Sequence, residues 1–105
     1  MICVSVLYPA AGEGRFDLDY YLTKHVPLCE KLFGPFGLSR IEIDEGLSGF
    51  APGAPPNYRM IARLYFDSLE GFQSAAAEVG GQIFADVPNY TDIPLEVQIS
   101  RLLKG

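Results

Sequence analysis

Alternation of apolar and polar residues marks four stretches of the chain as β-strands. Residues 2–8 are rich in β-branched and aromatic types, and residues 38–46, 57–66 and 92–103 alternate between apolar and polar positions. A period of two places successive side chains on opposite faces of a sheet, so we expect four strands. The loop between the second and third strands, residues 47–56, contains many glycines and prolines, and it predicts that these two strands form an antiparallel pair.

A period of three to four residues predicts a first helix that begins at Asp17. The Asp17 carboxylate can accept from free backbone N–H groups of the first turn, and Phe16 and Tyr21 have the spacing of a hydrophobic staple. The predicted apolar stripe of this helix consists of Leu18, Leu22, His25, Cys29 and Leu32. Gly34, followed by Pro35, is expected to end the helix.

Pro27 interrupts this first helix two residues after the only histidine of the chain, His25. Proline has no backbone N–H, and its ring clashes with the carbonyl of the residue four positions earlier, here Thr23. We therefore expect the helix to bend at this point and to open space beside His25.

A second helix is expected to begin after Ser68, whose hydroxyl is a good N-cap, and to stop at Gly80-Gly81. Its predicted apolar face consists of Leu69, Phe72, Ala76 and Val79. Residues 82–90 form a short segment of irregular polarity before the last strand.

The resulting order of elements is β-α-β-β-α-β, which predicts one domain, residues 1–105, with an α+β, ferredoxin-like fold and an antiparallel four-stranded sheet. Two helices cover only one face of such a sheet. The other face carries Glu96, Gln98 and Ser100, together with either Arg40 and Glu42 or Arg59, Arg63 and Tyr65. This face is either solvated or packed against a second copy of the chain, and the tyrosines and apolar residues of the strands favour a homodimer.

Composition and charge exclude several classes of function. The chain of 105 residues has a formal net charge of −5 with scattered cations, which disfavours nucleic acid as a partner. It has no apolar run long enough to span a membrane and no secretion signal, so we expect no membrane partner and a cytoplasmic location. Its two cysteines, Cys3 and Cys29, form no CxxC pair, and we expect no metal site.

Two motifs resemble those of the EthD-like family, named after ethyl tert-butyl ether degradation. The first is FDLDYYLTKHVPL, residues 16–28, and the second is FADVPNYT, residues 84–91, just before the last predicted strand. The opening strand that ends in Tyr8-Pro9 fits as well. The resemblance covers nearly the whole chain and implies the dimeric α+β barrel fold, in which two ferredoxin-like chains associate and pockets lie between the helices and the sheet.

The resemblance implies a pocket for a small hydrophobic or aromatic molecule. Related barrels include monooxygenases that need no cofactor and aromatic polyketide cyclases, so an oxidoreductase or a lyase that needs no organic cofactor is one expectation. The other is a non-catalytic protein that binds a ligand or supports a partner oxidase in degradation or biosynthesis. Fold alone does not decide between them. The sequence contains no nicotinamide or flavin motif, and with a single histidine, haem is a less favoured cofactor than none.

His25 is the central candidate for chemistry, with Asp86 as its partner. A buried imidazole that stays neutral can act as a general base near pH 7, and a carboxylate can orient it or share its proton. The alternative is a hydrogen-bonded core histidine beside the proline, with Asp86 only capping a turn. The sequence leaves these two interpretations equally supported.

Five residues of the two motifs are candidates for ligand binding: Tyr20, Tyr21, Leu28, Asn89 and Tyr90. The tyrosines can supply phenolic donors to a pocket. Each also has a simpler explanation, since Tyr21 fits the staple, Tyr20 fits a half-exposed ring, and Asn89 after Pro88 is typical of a turn.

Overall fold

The computed structural model of the protein describes residues 1–12 and 14–105. Four strands form one antiparallel sheet in the order β2-β3-β1-β4. The strands are β1 (Ile2–Pro9), β2 (Leu38–Glu45), β3 (Tyr58–Phe66) and β4 (Glu96–Arg101). The connectivity is β-α-β-β-α-β, so the predicted ferredoxin-like α+β fold is confirmed.

The first helix consists of three consecutive segments, which together form helix α1, residues 18–33. Leu18–Tyr20 and Val26–Phe33 are α-helical, and Tyr21–His25 between them is π-helical. The predicted cap and staple are both present, because the Asp17 carboxylate accepts from the Tyr20 N–H at 3.1 Å and the rings of Phe16 and Tyr21 lie 5.0 Å apart.

A bend is the expectation at Pro27, and what the structure has there is a widened π turn just before the proline. The Val26 N–H donates to the carbonyl of Tyr21, five residues earlier, instead of to the residue four positions earlier. A π turn takes more residues than an α turn, so the preceding part of the helix is rotated by about one position. The predicted stripe is therefore wrong at its start, where Leu18 and Leu22 are exposed and Tyr21 is buried instead.

Helix α1 ends at Phe33 and passes through a 3₁₀ turn, Gly34–Phe36, into β2. Gly37 follows with φ of 93°, and its N–H donates to the Gly34 carbonyl at 3.2 Å. This left-handed conformation is readily adopted by glycine. The predicted end of the helix at Gly34 and Pro35 is thus correct to within one residue.

The second helix, α2 (Leu69–Asp86), begins after Ser68, whose hydroxyl accepts from the Gly71 N–H at 3.0 Å. The predicted stop at Gly80-Gly81 is wrong, because the helix continues through both glycines to Asp86. Ile83 follows the two glycines and is buried in the core. The free energy gained by this burial outweighs the low helix propensity of the glycines. A second 3₁₀ turn, Val87–Asn89, follows directly.

The last strand is shorter than predicted, since β4 covers Glu96–Arg101 and not residues 92–103. Pro94 lacks the N–H that a strand ladder requires, and the residues before it form only an isolated bridge between Thr91 and Phe16. At the other end, the Leu102 N–H donates to the Met1 carbonyl at 3.1 Å. β4 is therefore a short edge strand beside β1.

Both helices pack on the face of the sheet that carries Val4, Ala62 and Leu64. The opposite face is not covered by either helix. The β2 residues Arg40 and Glu42 and the β3 residues Arg63 and Tyr65, which the sequence offered as alternatives for this face, all lie on it, because Glu42 pairs with Arg63 and Arg40 with Tyr65. Arg63 contacts Asp44 at 2.7 Å and Glu42 at 3.4 Å, and the Arg40 guanidinium lies over the Tyr65 ring at 3.9 Å. Charges on this open sheet face are thus largely paired within the chain.

None of the helices in the described part of the chain is long and apolar enough to cross a membrane.

Candidate active site

His25 and Asp86 are 61 residues apart in the sequence and in direct contact in the structure. The π turn of α1 ends at His25, and Asp86 is the last residue of α2. Nδ1 of His25 lies 2.9 Å from Oδ2 of Asp86. The imidazole is buried, and the carboxylate side chain is 15% exposed. The middle of α1 and the end of α2 therefore form a histidine–carboxylate pair at the edge of the core.

Two further side chains hold the other oxygen of this carboxylate. The Tyr20 hydroxyl donates to Oδ1 of Asp86 at 2.6 Å, and the Asn89 side-chain amide donates to the same oxygen at 2.9 Å. The Asn89 amide also lies 3.3 Å from the Tyr20 hydroxyl. A carboxylate fixed by three donors holds the imidazole in one orientation, with Nδ1 as the engaged nitrogen.

Burial raises the pKa of Asp86, but the hydrogen bonds from Tyr20, Asn89 and His25 outweigh burial and lower the pKa overall. The hydrogen bond to this carboxylate is the main cause that raises the pKa of the Tyr20 phenol. At neutral pH the network therefore contains an ionised Asp86 and a neutral Tyr20, whose hydroxyl donates a hydrogen bond to the carboxylate.

Asp86 is expected to make stability depend on pH in the acid range. Because its pKa is lowered by folding, the stabilisation is complete above the unfolded-state pKa of about 3.9 and is lost as the pH falls through the lower folded-state pKa. Urea unfolding of the wild type and of Asp86→Asn across the acid range measures this. The difference in unfolding free energy between the two proteins should shrink on acidification.

Glu42 and Asp44 also have lowered pKa values, for Glu42 chiefly through its hydrogen bond from Tyr65 and for Asp44 through Arg63. Both lie on the open sheet face and are present in both proteins, so their contributions cancel in the comparison. Parallel stability curves for wild type and Asp86→Asn would contradict the assignment to Asp86.

Two tyrosine rings flank the imidazole of His25. Tyr21 is stacked on it, with ring centroids 5.7 Å apart and planes 16° apart, and the Tyr90 ring lies at 4.5 Å. The hydroxyls of Tyr8 and Tyr90 share a hydrogen bond of 2.7 Å. Tyr8, Tyr21 and Tyr90, together with Met60 and Ile93, form a buried cluster, which we call the aromatic core.

Burial is the main cause that raises the pKa of the Tyr8, Tyr21 and Tyr90 phenols, and it raises the pKa of the Cys29 thiol to about 12. None of these four groups is ionised near neutral pH, so none of them is suited to act as a base or a thiolate nucleophile. The His25–Asp86 pair is the group in this part of the molecule that is suited to exchange protons.

A cavity of about 130 Å³ lies between the helices and the sheet and reaches His25. Its walls are almost entirely apolar and come from both helices and all four strand regions. They include Val6, Tyr8, Tyr21, His25, Cys29, Phe33, Ala62, Phe72, Ala76, Gly80, Phe84, Tyr90 and Val97. Phe84 and Val97 are exposed, so the cavity extends to the surface between the end of α2 and the edge strand β4.

The second nitrogen of His25 is the atom available to a molecule in this cavity. Nδ1 is bound to Asp86, and among the described residues Nε2 has no hydrogen-bond partner. Yet within residues 1–12 and 14–105 no side-chain nitrogen or oxygen is both fully enclosed and without a partner. Nε2 therefore opens onto free space, and His25 lines the cavity.

Six of the seven candidate residues fall into two groups by position, and Leu28 belongs to neither. His25, Tyr21 and Tyr90 line the cavity, whereas Asp86, Tyr20 and Asn89 form the hydrogen-bonded network behind His25. Leu28 is half-buried, packs against the main core and lies outside the cavity wall. A ligand-binding role for Tyr20, Asn89 and Leu28 stays a prediction, and the structure places none of the three in the cavity wall.

Sequence reasoning missed several wall residues, of which Tyr8 and Gly80 are the clearest. Tyr8 continues the inward-facing alternation of Val4 and Val6 in β1, and that signal could have identified it. Gly80 carries no such signal, because two adjacent glycines indicate a helix stop as readily as a cavity wall.

No group of three or more histidine, cysteine, aspartate or glutamate side chains within the described chain is placed to hold a metal ion.

Comparison with known proteins decides the family. Residues 15–94 match the EthD domain. The chain belongs to the EthD family. This match spans both motifs that carry the resemblance, including His25 and Asp86.

Three proteins illustrate how far the similarity extends. An EthD-like protein from Ralstonia eutropha JMP134 is 36% identical, with a TM-score of 0.91 over 98% of this chain and 92% of that one. An uncharacterized 11.0 kDa protein from the thcB-thcC intergenic region of Rhodococcus erythropolis is 33% identical over 86% of this chain and 84% of its own length.

SnoaB from Streptomyces nogalater, a cofactor-independent oxygenase, shares the fold at 9% identity, with a TM-score of 0.62 over 99% of this chain and 93% of its own.

Proposed function

We propose that this EthD family protein is an enzyme that needs no organic cofactor and uses His25 to move a proton of a small hydrophobic or aromatic substrate. The observation that carries the proposal is the bond between Nδ1 of His25 and Asp86, which leaves Nε2 free at an apolar cavity. A neutral imidazole held in this way has its lone pair on Nε2 and is a general base.

In the proposed step, Nε2 removes a proton from a phenol hydroxyl or from the carbon beside a carbonyl group. The substrate becomes a phenolate or an enolate, and the imidazolium that forms is stabilised by the ionised Asp86, which keeps its negative charge. Such an anion can react with O₂ or cyclise onto a second carbonyl, and it is also the species that loss of CO₂ in a decarboxylation leaves behind, to be protonated by the imidazolium. SnoaB offers an example of cofactor-independent oxygenation on the same fold, and at 9% identity it supports the fold alone.

Deuterium exchange tests the step without knowledge of the natural substrate. Acetophenone is a neutral, single-ring ketone whose methyl protons are weakly acidic, and its exchange in D₂O is followed by NMR. The protein should accelerate this exchange above the rate in buffer. Exchange at the buffer rate while acetophenone is bound would contradict the proposal.

A binding or accessory role is the second candidate, and the packing of His25 favours it. The imidazole lies against Tyr21 and Tyr90, and Asp86 already has three donors, as in a structural network. In that case ligands would bind without any exchange or product, and His25 would only shape the cavity.

We also propose that two copies associate through the open sheet face. Leu7 and Ile61 lie on this face only partly buried, and the neighbouring charges of Arg63, Asp44 and Glu42 are already paired, so most of the charge that a second sheet would cover is compensated. Light scattering should give about twice the chain mass of 11.5 kDa. A mass near that of one chain would mean that the face is solvated.

A cytoplasmic location is a further proposal, which the two free cysteines support. Cys3 and Cys29 are both buried and unpaired with each other, as is common in a reducing compartment. Cell fractionation measures the location, and recovery of the protein outside the cytoplasmic fraction would contradict it.

A further inference from the structure

Gly80 and Gly81, two adjacent glycines in the interior of α2, lower the stability of this helix. Each glycine in a helix interior destabilises it by about 1 kcal/mol relative to alanine. Gly80 is buried and lines the cavity, whereas Gly81 is exposed and does not. The pair neither ends the helix nor gives either residue a positive φ. Something other than backbone conformation therefore accounts for the glycine at position 80.

The space beside Gly80 is part of the cavity. A Cβ atom added to Gly80 would come no closer than 3.9 Å to the Cβ of Ala76, and no other atom outside the helix backbone lies within 4 Å of it. A Cβ atom added to Gly81 would meet nothing within 4 Å, but that position faces outward. Gly80 thus leaves room where any other residue would place a side chain.

The size of the cavity fits one aromatic ring. Its volume is about 130 Å³, and an engineered apolar cavity of about 150 Å³ in another protein binds benzene. Rings of Tyr21, Phe33, Phe72 and Tyr90 form part of the wall. Aromatic walls favour an aromatic guest, because edge-to-face and offset ring contacts add to the gain from burial.

The chemistry of the wall selects a neutral guest. Among the described residues of the wall there is no aspartate, glutamate, lysine or arginine. A charged group placed there would lose its hydration without gaining a counter-ion. The free Nε2 of His25 is able to accept one hydrogen bond from a hydroxyl group of the guest.

We propose that the cavity holds a single neutral aromatic ring, and that Gly80, by lacking a side chain, keeps the space for this ring open. The inference rests on the proposed function only in naming the substrate class of that site, since occupation of the cavity requires no proton transfer. Gly80 is then a residue that determines specificity through size.

Calorimetric titration with p-cresol and 2-naphthol at pH 7, where both are neutral, tests the inference. The wild type should bind p-cresol, and bind 2-naphthol at least about tenfold more weakly because a second ring exceeds the cavity. Gly80→Leu places an isobutyl group in the cavity and should weaken p-cresol binding at least about tenfold, whereas the control Gly81→Leu should change it less than about twofold.

The inference is overturned if p-cresol does not bind, if 2-naphthol binds as tightly, or if Gly80→Leu binds p-cresol like the wild type. Should Gly80→Leu fail to fold by circular dichroism, Gly80→Ala and Gly81→Ala replace the pair. Both add helix propensity, but only Gly80→Ala should weaken p-cresol binding, and equal affinities would overturn the inference. Binding of p-cresol without acetophenone exchange would remove the proposed function and leave this inference intact.

Discussion

His25→Gln is expected to slow deuterium exchange into acetophenone by about 10²–10⁴-fold, the usual contribution of a positioned general base. Glutamine keeps a polar group of similar size near Asp86 but has no nitrogen lone pair that can take up a proton near neutral pH. The measurement is the exchange rate by NMR at a fixed acetophenone concentration. Binding of p-cresol, measured in parallel, shows whether the cavity survives the substitution.

Lys24→Gln is the matched control for this prediction. Lys24 is the neighbouring residue in the same π turn, and its side chain is exposed. The same glutamine placed there should leave the exchange rate within about twofold, because surface substitutions away from a site rarely matter. Equal rates for wild type and His25→Gln, with both proteins folded, would exclude His25 as the base.

Asp86→Asn extends the test to the second member of the pair. An asparagine amide at this position can donate to Nδ1, which would leave the proton of the neutral imidazole on Nε2. The nitrogen that faces the cavity would then be a donor and not a base. Exchange should fall nearly as far as in His25→Gln, whereas a purely structural Asp86 would leave the rate of the folded protein unchanged.

The largest effect on stability is expected for Phe66→Ala, a loss of about 3–5 kcal/mol of unfolding free energy. Phe66 is fully buried at the end of β3, and its ring meets those of Phe33 and Phe72 at 5.5 and 5.3 Å. Removing it takes away buried apolar area and leaves a void between both helices and the sheet. A domain of this size has only about 5–15 kcal/mol in total, so the variant should be close to unfolding.

Phe50→Ala provides the control, because this ring is fully exposed in the loop between β2 and β3. Its replacement should change stability by less than about 0.5 kcal/mol. Urea unfolding followed by circular dichroism measures both variants. A loss of unfolding free energy below about 1 kcal/mol for Phe66→Ala would contradict the conclusion that its ring fills the core between the helices and the sheet.

Local patterns determined the architecture of this protein. The strand at residues 2–8 could be read from alternation, and the start of α1 from Asp17, Phe16 and Tyr21, because these signals act between residues close together in the chain. Their order led to the ferredoxin-like fold. The motifs around His25 and Asp86 also pointed to the EthD family, which the match to residues 15–94 confirms.

Only the tertiary structure decided where the candidate site lies. The contact between His25 and Asp86 joins the middle of α1 to the end of α2, and no local signal fixes whether such distant side chains meet. Gly80 and Gly81 illustrate the same limit. Because Ile83 is buried in the core, α2 continues through both glycines to Asp86, and Gly80 lines the cavity. Hydrogen bonds and turns between residues close together in the chain can be predicted from the sequence, whereas the burial of a residue depends on which distant elements pack together.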